Sequence, residues 1–326
     1  MIVQLNMFKN ARPFFLNHKQ HLNIILSVML SWLPVEVLAY SVIGEDVEDQ
    51  ANATLAFMAY SVVPDVTTSS LSISQKTTDE PDFFLTQFAG GFNPSTSSPL
   101  YLEGDLAYSC YDPEFIFSNG QDEKSVSTKW NSIMASAGIG WDFPLTNELR
   151  FRPITNFSLA RVQGDASIVS NIILDIKESD FLDGGYINSV GYGGSVMMDY
   201  ERYRDDYEFD VEWRFTSDKL NGFRSSSDAV EGSAHSLSSN LWACWRAPTQ
   251  FVFLQRPLRY VVEGAHSRYF GSQKGVLGFD YLSSVGLGVE VDSSAYNAIV
   301  TQTRIIARHV FGNNISGFSI GLAVSC

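Results

Sequence analysis

Along most of the chain, apolar and polar residues alternate with a period of two. Tyr207, Phe209, Val211, Trp213 and Phe215 interleave with Glu208, Asp210, Glu212, Arg214 and Thr216, which puts one face of an extended strand among apolar groups and the other among charges. The pattern recurs. Leu100, Leu102, Leu106 and Tyr108 share a phase opposite Tyr101, Glu103, Asp105 and Ala107. Phe279, Tyr281, Val285, Leu287, Val289 and Val291 share another, opposite Asp280, Gly286, Gly288 and Glu290, and the last segment sets Phe318, Ile320, Leu322 and Val324 against Ser319, Gly321, Ala323 and Ser325. One small soluble core has no room for so many apolar strand faces.

Each such segment is about ten residues long, the length a tilted strand needs to cross a bilayer, and its second face carries the polar or small residues that suit a lumen. The expected fold class is therefore all-β: a transmembrane antiparallel up-and-down β-barrel of about 12 strands. Closure meets the backbone's needs as well, because a sheet edge exposed to lipid would leave amides unpaired at several kcal/mol each. Counted from the C-terminus, the strands are expected near 315–326, 299–310, 278–291, 257–268, 238–247, 206–216, 188–200, 148–160, 129–143, 99–110, 82–92 and 69–76. Short turns at 144–147 and 201–205 alternate with long polar loops at 111–128, 161–187 and 217–237, and even strand parity leaves both ends of the barrel in the periplasm.

The N-terminal region reads differently. Lys9, Arg12 and Lys19 precede an apolar run from Leu22 to Leu33, and Val37 and Ala39 suit a signal-peptidase site, so residues 1–39 read as a secretory signal peptide. The apolar run is too short for a membrane-spanning helix, and Pro34 follows it. Residues 40–68 form an N-terminal tether or plug segment, in which the apolar stretch 51–63 suits an extra strand, a short lumenal helix or a tether. Residues 69–326 form the barrel. Only about thirty residues separate Ala39 from the first strand, too few for a secreted passenger.

Charge narrows the function. The 326 residues carry 22 Lys and Arg against 36 Asp and Glu, a net charge of -14, which excludes a basic nucleic-acid-binding face. Removing the leader deletes three basic residues and one acidic residue, leaving 19 against 35, or -16. Charged residues make up only 18% of the chain, against about 25% in a typical soluble domain. Cys110, Cys244 and Cys326 show no metal-ligand spacing, although one disulfide is compatible with an oxidising compartment.

The segment from Gly138 to Pro153, with Trp141-Asp142-Phe143-Pro144-Leu145-Thr146-Asn147 leading into Arg150-Phe151-Arg152-Pro153, resembles a hairpin of autotransporter translocator barrels. The stretch Pro99 to Tyr108 followed by Tyr111-Asp112-Pro113, together with Val63-Pro64-Asp65 and Ser70-Leu71-Ser72-Ile73, resembles the solitary outer-membrane autotransporter-type β-barrel domains of Gram-negative bacteria. That resemblance implies an outer-membrane location, contact with lipid and lipopolysaccharide, insertion by the barrel-assembly machinery, and a monomer. Cys326 departs from the family's aromatic final residue, with Phe318 the nearest aromatic in phase.

No Gly-x-Ser-x-Gly or phosphate-cradling motif is present, and Gly191-Tyr192-Gly193-Gly194 reads as a bend or close packing on a strand. His235, in an expected outer loop, and His266, near the outer rim, have Ser233, Ser267, Glu231 and Asp228 as sequence neighbours, which makes a Ser-His-acid hydrolase the third-ranked function. No catalytic, cofactor or metal residues are assigned. The candidate site is the lumen, lined by Glu103, Asp105, Glu208, Asp210, Glu212, Glu263 and Glu290 with Arg150, Arg152, Arg214, Arg259, Arg304 and Arg308. Paired, these charges occlude a barrel with a structural or surface-binding role. Unpaired, they line a narrow pore for small solutes.

Overall fold

The computed structural model describes residues 2–4, 47–61, 71–75, 83–95, 97–111, 114–118, 123–127, 129–165, 186–224, 232–253, 255–292, 302–313 and 315–325. Most of the leader, the tether beyond residue 61 and Cys326 lie outside these residues, as does the expected strand start at 299–301.

Among the described residues, twelve strands form a closed ring. In chain order they are β2 (Leu71–Gln75), β3 (Phe83–Phe92), β4 (Leu100–Tyr111), β7 (Lys129–Trp141), β9 (Leu149–Asp165), β10 (Tyr186–Tyr203), β11 (Glu208–Phe223), β12 (Ser233–Phe253), β13 (Arg256–Gly271), β14 (Tyr281–Asp292), β15 (Gln302–Gly312) and β16 (Ile315–Ser325). Each pairs antiparallel with its neighbour in sequence, and β16 closes on β2, with Ile315 opposite Gln75 and Ser319 opposite Leu71. β2 is short, and the rest of the seam holds β1 (Ile2–Gln4), parallel to both β3 and β16. β5 (Glu114–Ser118) and β6 (Glu123–Ser127) make a separate hairpin, and β8 (Phe143–Pro144) pairs with β9 at a turn. Where β2 begins and β16 ends is termed the lower end; the opposite mouth is the upper end.

The ring is inside-out relative to a soluble protein. Leu106, Ile133, Ile139, Phe157, Leu159, Val285, Leu287, Ile305, Phe318 and Ile320 are exposed on its outer face, while Glu103, Asp105, Arg152, Arg214, Glu263, Glu290, Arg304 and Arg308 are buried within. Aromatic residues stand exposed toward both rims, with Trp141, Phe143, Trp245, Phe251 and Phe253 low and Phe84, Tyr108, Phe223 and Phe311 high. An apolar band between aromatic girdles is the surface a bilayer demands.

The strands run further than the apolar alternation does. β11 continues through Ser217 to Phe223 and β12 begins at Ser233, so the loop expected at 217–237 contracts to 224–232, and the one at 161–187 contracts to 166–185. The loop expected at 111–128 contains the β5–β6 hairpin. Side-chain alternation marks the stretch of strand that faces lipid, whereas the backbone ladder persists wherever a neighbour supplies hydrogen bonds. His235 accordingly sits in β12, opposite Lys219, and not in a loop. Phe279 precedes β14 and is buried, so it does not share the outward phase of Val285 and Leu287.

Residues 51–58, for which three forms were open, belong to α1 (Val47–Met58), which ends in a short 3-10 turn, Ala59–Ser61. Ala51, Ala53 and Ala56 favour a helix, and Glu48 and Asp49 stand where the helix dipole favours acidic residues. Leu55, Ala56, Phe57, Met58, Ala59 and Tyr60 are all buried. The last turn of the helix, Leu55 to Met58, is apolar on every side and must therefore be enclosed, and it is. Its cluster includes Leu85, Ala107, Met134, Val162, Ile187, Leu220, Ala234, Leu282, Val310 and Ile315, which come from strands on every side of the ring. α1 therefore lies inside the barrel, in its upper half.

Candidate functional site

Two layers fill the interior. In the upper layer the Phe57 ring stacks on Tyr111 at 5.6 Å and meets Phe83 edge-on at 6.0 Å, with Trp130 at 6.3 Å. Tyr60 packs on Tyr269 and Phe279, and its hydroxyl donates to the Gln273 carbonyl at 2.6 Å. The Ser236 hydroxyl donates to the Ala59 carbonyl, and the Ser233 amide donates to Asn52 Oδ1 at 2.9 Å. These strand and loop residues surround the mouth, so one helix plugs it using aromatic packing and a few polar ties.

The lower layer is ionic. Glu290 on β14 accepts from Arg304 at 2.8 Å and Arg259 at 3.1 Å and lies 3.5 Å from Arg246. Arg246 also pairs with Asp210 and, at 3.5 Å, with Glu208, which meets Arg259 at 2.9 Å. Arg308 pairs with Glu263, whose other oxygen accepts from the Trp242 indole at 3.3 Å. Across the ring, Arg152 pairs with Asp142, lies 3.3 Å from Asp199 and stacks over Tyr101 at 3.8 Å. Arg150 meets Glu201 at 2.9 Å. Arg214 grips Glu103 with two nitrogens, one at 3.0 Å. Charge-assisted, multidentate bonds of this kind hold side chains and strand register together.

Every lumen-lining candidate read from the sequence falls on the inward phase of its strand. Glu212 is half-buried there, beside Arg214 and Arg152. Arg246, Asp199, Glu201, Asp142 and Asp218 were missed. Asp199, Glu201 and Arg246 lie near or beyond the ends of the expected strands, and Asp142 and Asp218 fall at a strand end and in an expected loop. Continued alternation was the available signal: Met197, Asp199 and Glu201 keep one phase, as do Cys244 and Arg246. At the lower rim, Glu148 accepts from Arg204 at 2.7 Å and from the Tyr200 hydroxyl at 3.0 Å. Slight desolvation pushes its carboxyl up, but these bonds outweigh it and hold the group below its usual range.

The histidines stand outside this machinery. His235 Nε2 is 3.1 Å from Ser217 Oγ and His266 Nδ1 is 2.9 Å from Ser283 Oγ, both on the exposed outer face. His309 packs against Phe311 and Phe318 on the same face. Cys244 is a buried free thiol, so it is not bridged to Cys110. Gly191 and Gly193 face inward where a Cβ would strike Ser158 and Asp218 respectively, a close-packing role.

The fold and its interior define a transmembrane-type up-and-down β-barrel, closed at twelve strands, with a lumenal helix and a buried ionic network. Among solved structures the chain is similar to the β domain of the Bordetella autotransporter BrkA, with a TM-score of 0.44 and 11% identity over 77% of this chain and 94% of that one. It is also similar to the translocator domain of the autotransporter NalP from Neisseria meningitidis, at 0.42 and 12% over 77% and 83%. The Ralstonia pickettii toluene transporter TbuX aligns at 0.28 and 10% over 78% and 85%. No family model and no curated protein matches the sequence. The fold assignment rests on the ring of strand pairs and the inverted exposure, not on these likenesses.

Proposed function

We propose that the chain is an outer-membrane β-barrel of a Gram-negative bacterium, of the autotransporter translocator type, exported by a cleavable leader and occluded at rest, with a non-enzymatic structural or surface-binding role. The carrying observation is that both halves of the lumen are filled, the upper by α1 and the lower by the ionic network. The lower end then faces the periplasm, and the outer face meets lipid and lipopolysaccharide. The ring closes on itself through β2 and β16, which supports a monomer. Planar-bilayer recording on the purified protein is expected to show little resting conductance, and a large steady conductance would overturn the reading.

A narrow pore is the second reading. Inward carboxylates outnumber inward guanidinium groups among the described residues, so any water path opened by movement of α1 would favour cations.

A further inference from the structure

On the outer face, three adjacent strands change character at one level. Along β11 the outward phase reads Phe209, Val211, Trp213 and Phe215, then Ser217, Lys219 and Asn221 toward the upper end. On β12 the same phase descends from Ser233 and His235 to Leu237 and Leu241, and on β10 it rises from Met198 and Val196 to Tyr192. Ser239, which interrupts the apolar part of β12, accepts from the Trp213 indole at 3.0 Å and so is satisfied there. The polar positions fall into register. Tyr192 stands opposite Lys219, and Lys219 opposite His235, so the three strands present a phenol, an ammonium and an imidazole in one exposed row. Neighbours in such a row have Cβ atoms about 5 Å apart. Asn221 and Ser233 face each other one step above.

The charge on this face has one sign. The chain carries 36 acidic residues against 22 basic, yet among the described residues of the ring Asp165 is the one Asp or Glu at an outward-phase position, and it lies on β9 opposite Lys129. Lys129, Arg161, Lys219 and Arg268 all occupy that phase in the upper half. Arg161 lies over the Tyr186 ring at 4.1 Å and Arg268 over Phe270 at 5.7 Å, whereas Lys219 stands between two hydrogen-bonding side chains. Beside it, His235 Nε2 meets Ser217 Oγ, and whichever of the two donates, one N–H or O–H is left for a further acceptor.

A polar row directly above an apolar band lies at the level of lipid headgroups, where the bilayer covers the surface. Ammonium, imidazole and hydroxyl donors gathered without an acid among them suit a phosphate. In the orientation proposed above, the upper end faces the cell exterior, and the phosphorylated lipid of that leaflet is lipopolysaccharide. We infer that Tyr192, Lys219, His235 and Ser217 form a site for one phosphate group of lipopolysaccharide, whose acyl chains then run down over Phe215, Leu237 and Leu241. This names the place and chemistry of the lipid contact and rests on that orientation.

Native mass spectrometry of the detergent-purified, unheated chain with bisphosphorylated lipid A, the phosphate-bearing anchor of lipopolysaccharide, tests the site. One lipid A retained saturably per chain is expected, and lipid A stripped of its phosphates should bind about tenfold more weakly or worse. Lys219→Gln should weaken retention by about tenfold, His235→Gln should act in the same direction, and Lys219→Arg should preserve it. Arg202→Gln, on the outward phase at the lower end, should leave it unchanged. Folding of each variant is checked by its mobility shift between unboiled and boiled samples. Retention that is indifferent to the phosphates or to Lys219 and His235, or lipid A displaced by an equal concentration of phosphatidylglycerol, overturns the inference. Orientation is read separately: a membrane-impermeant maleimide should label Lys274→Cys, between β13 and β14, on intact cells above the level of the unmodified chain. Labelling without lipid A retention removes the site and leaves the orientation standing, whereas absence of labelling removes the orientation and lipopolysaccharide as the occupant with it.

Discussion

At the scale of single residues, Glu290 is the hub of the lower network. It is 1% exposed and faces Arg304, Arg259 and Arg246. Glu290→Gln keeps the shape and removes the charge, leaving buried guanidinium groups short of a partner. A loss of roughly 3 to 5 kcal/mol is expected if the site is dry, and less where water reaches it. Urea unfolding in detergent measures the loss, and an unchanged midpoint would mean that the network is hydrated and weak. Val211→Arg, on the outward phase of the same wall as Asp210 and Glu212, tests the other side of one strand. It is expected to cost about 2 to 4 kcal/mol if its position lies near the bilayer midplane, whereas Glu212→Ala should leave insertion intact.

At the scale of elements, α1 decides whether the barrel is shut. Phe57 anchors it against Phe83, Tyr111 and Trp130. Phe57→Ala removes that anchor at a cost of about 3 to 5 kcal/mol to the packed state, so single-channel records should show opening events absent from the unmodified protein. Deleting residues 47–61 should convert those events to a steady, cation-preferring conductance. Equal silence from both variants would show that the ionic layer closes the lumen unaided. The strands bear on this too, because the wall residues that grip α1, such as Val162, Leu220 and Ala234, lie beyond much of the lipid-facing alternation.

At the scale of the whole molecule, the closed ring and apolar band predict a protein that resists detergent and shifts mobility on boiling. Leu287→Arg, at the middle of β14 on a face where Leu287 is 69% exposed, should cost about 2 to 4 kcal/mol in a bilayer. The measurement is folding in lipid vesicles. A cost below about half a kcal/mol would remove this face from lipid. Mass spectrometry of the membrane-extracted protein is expected to find the chain starting at Tyr40, and an intact Met1 would refute cleavage of the leader.

Alternation alone determined the class of fold, the tally of strands and the inward phase of residues such as Glu103, Arg152 and Arg304, because a strand's side chains must point to opposite faces and a bilayer assigns the apolar one outward. It did not reveal where ladders end. Asp199, Glu201 and Arg246 lie past the strongest pattern, while the backbone keeps pairing there with neighbours distant in sequence. Nor did it reveal which charge meets which. Glu103 and Arg214 are 111 residues apart and come from strands that are not neighbours in the ring. Their meeting follows from the curvature and register of the closed barrel. The same closure turned an apolar stretch that suited three forms into a helix, because only an enclosed mouth lined by Phe83, Trp130, Leu220 and Phe279 could bury all its sides at once.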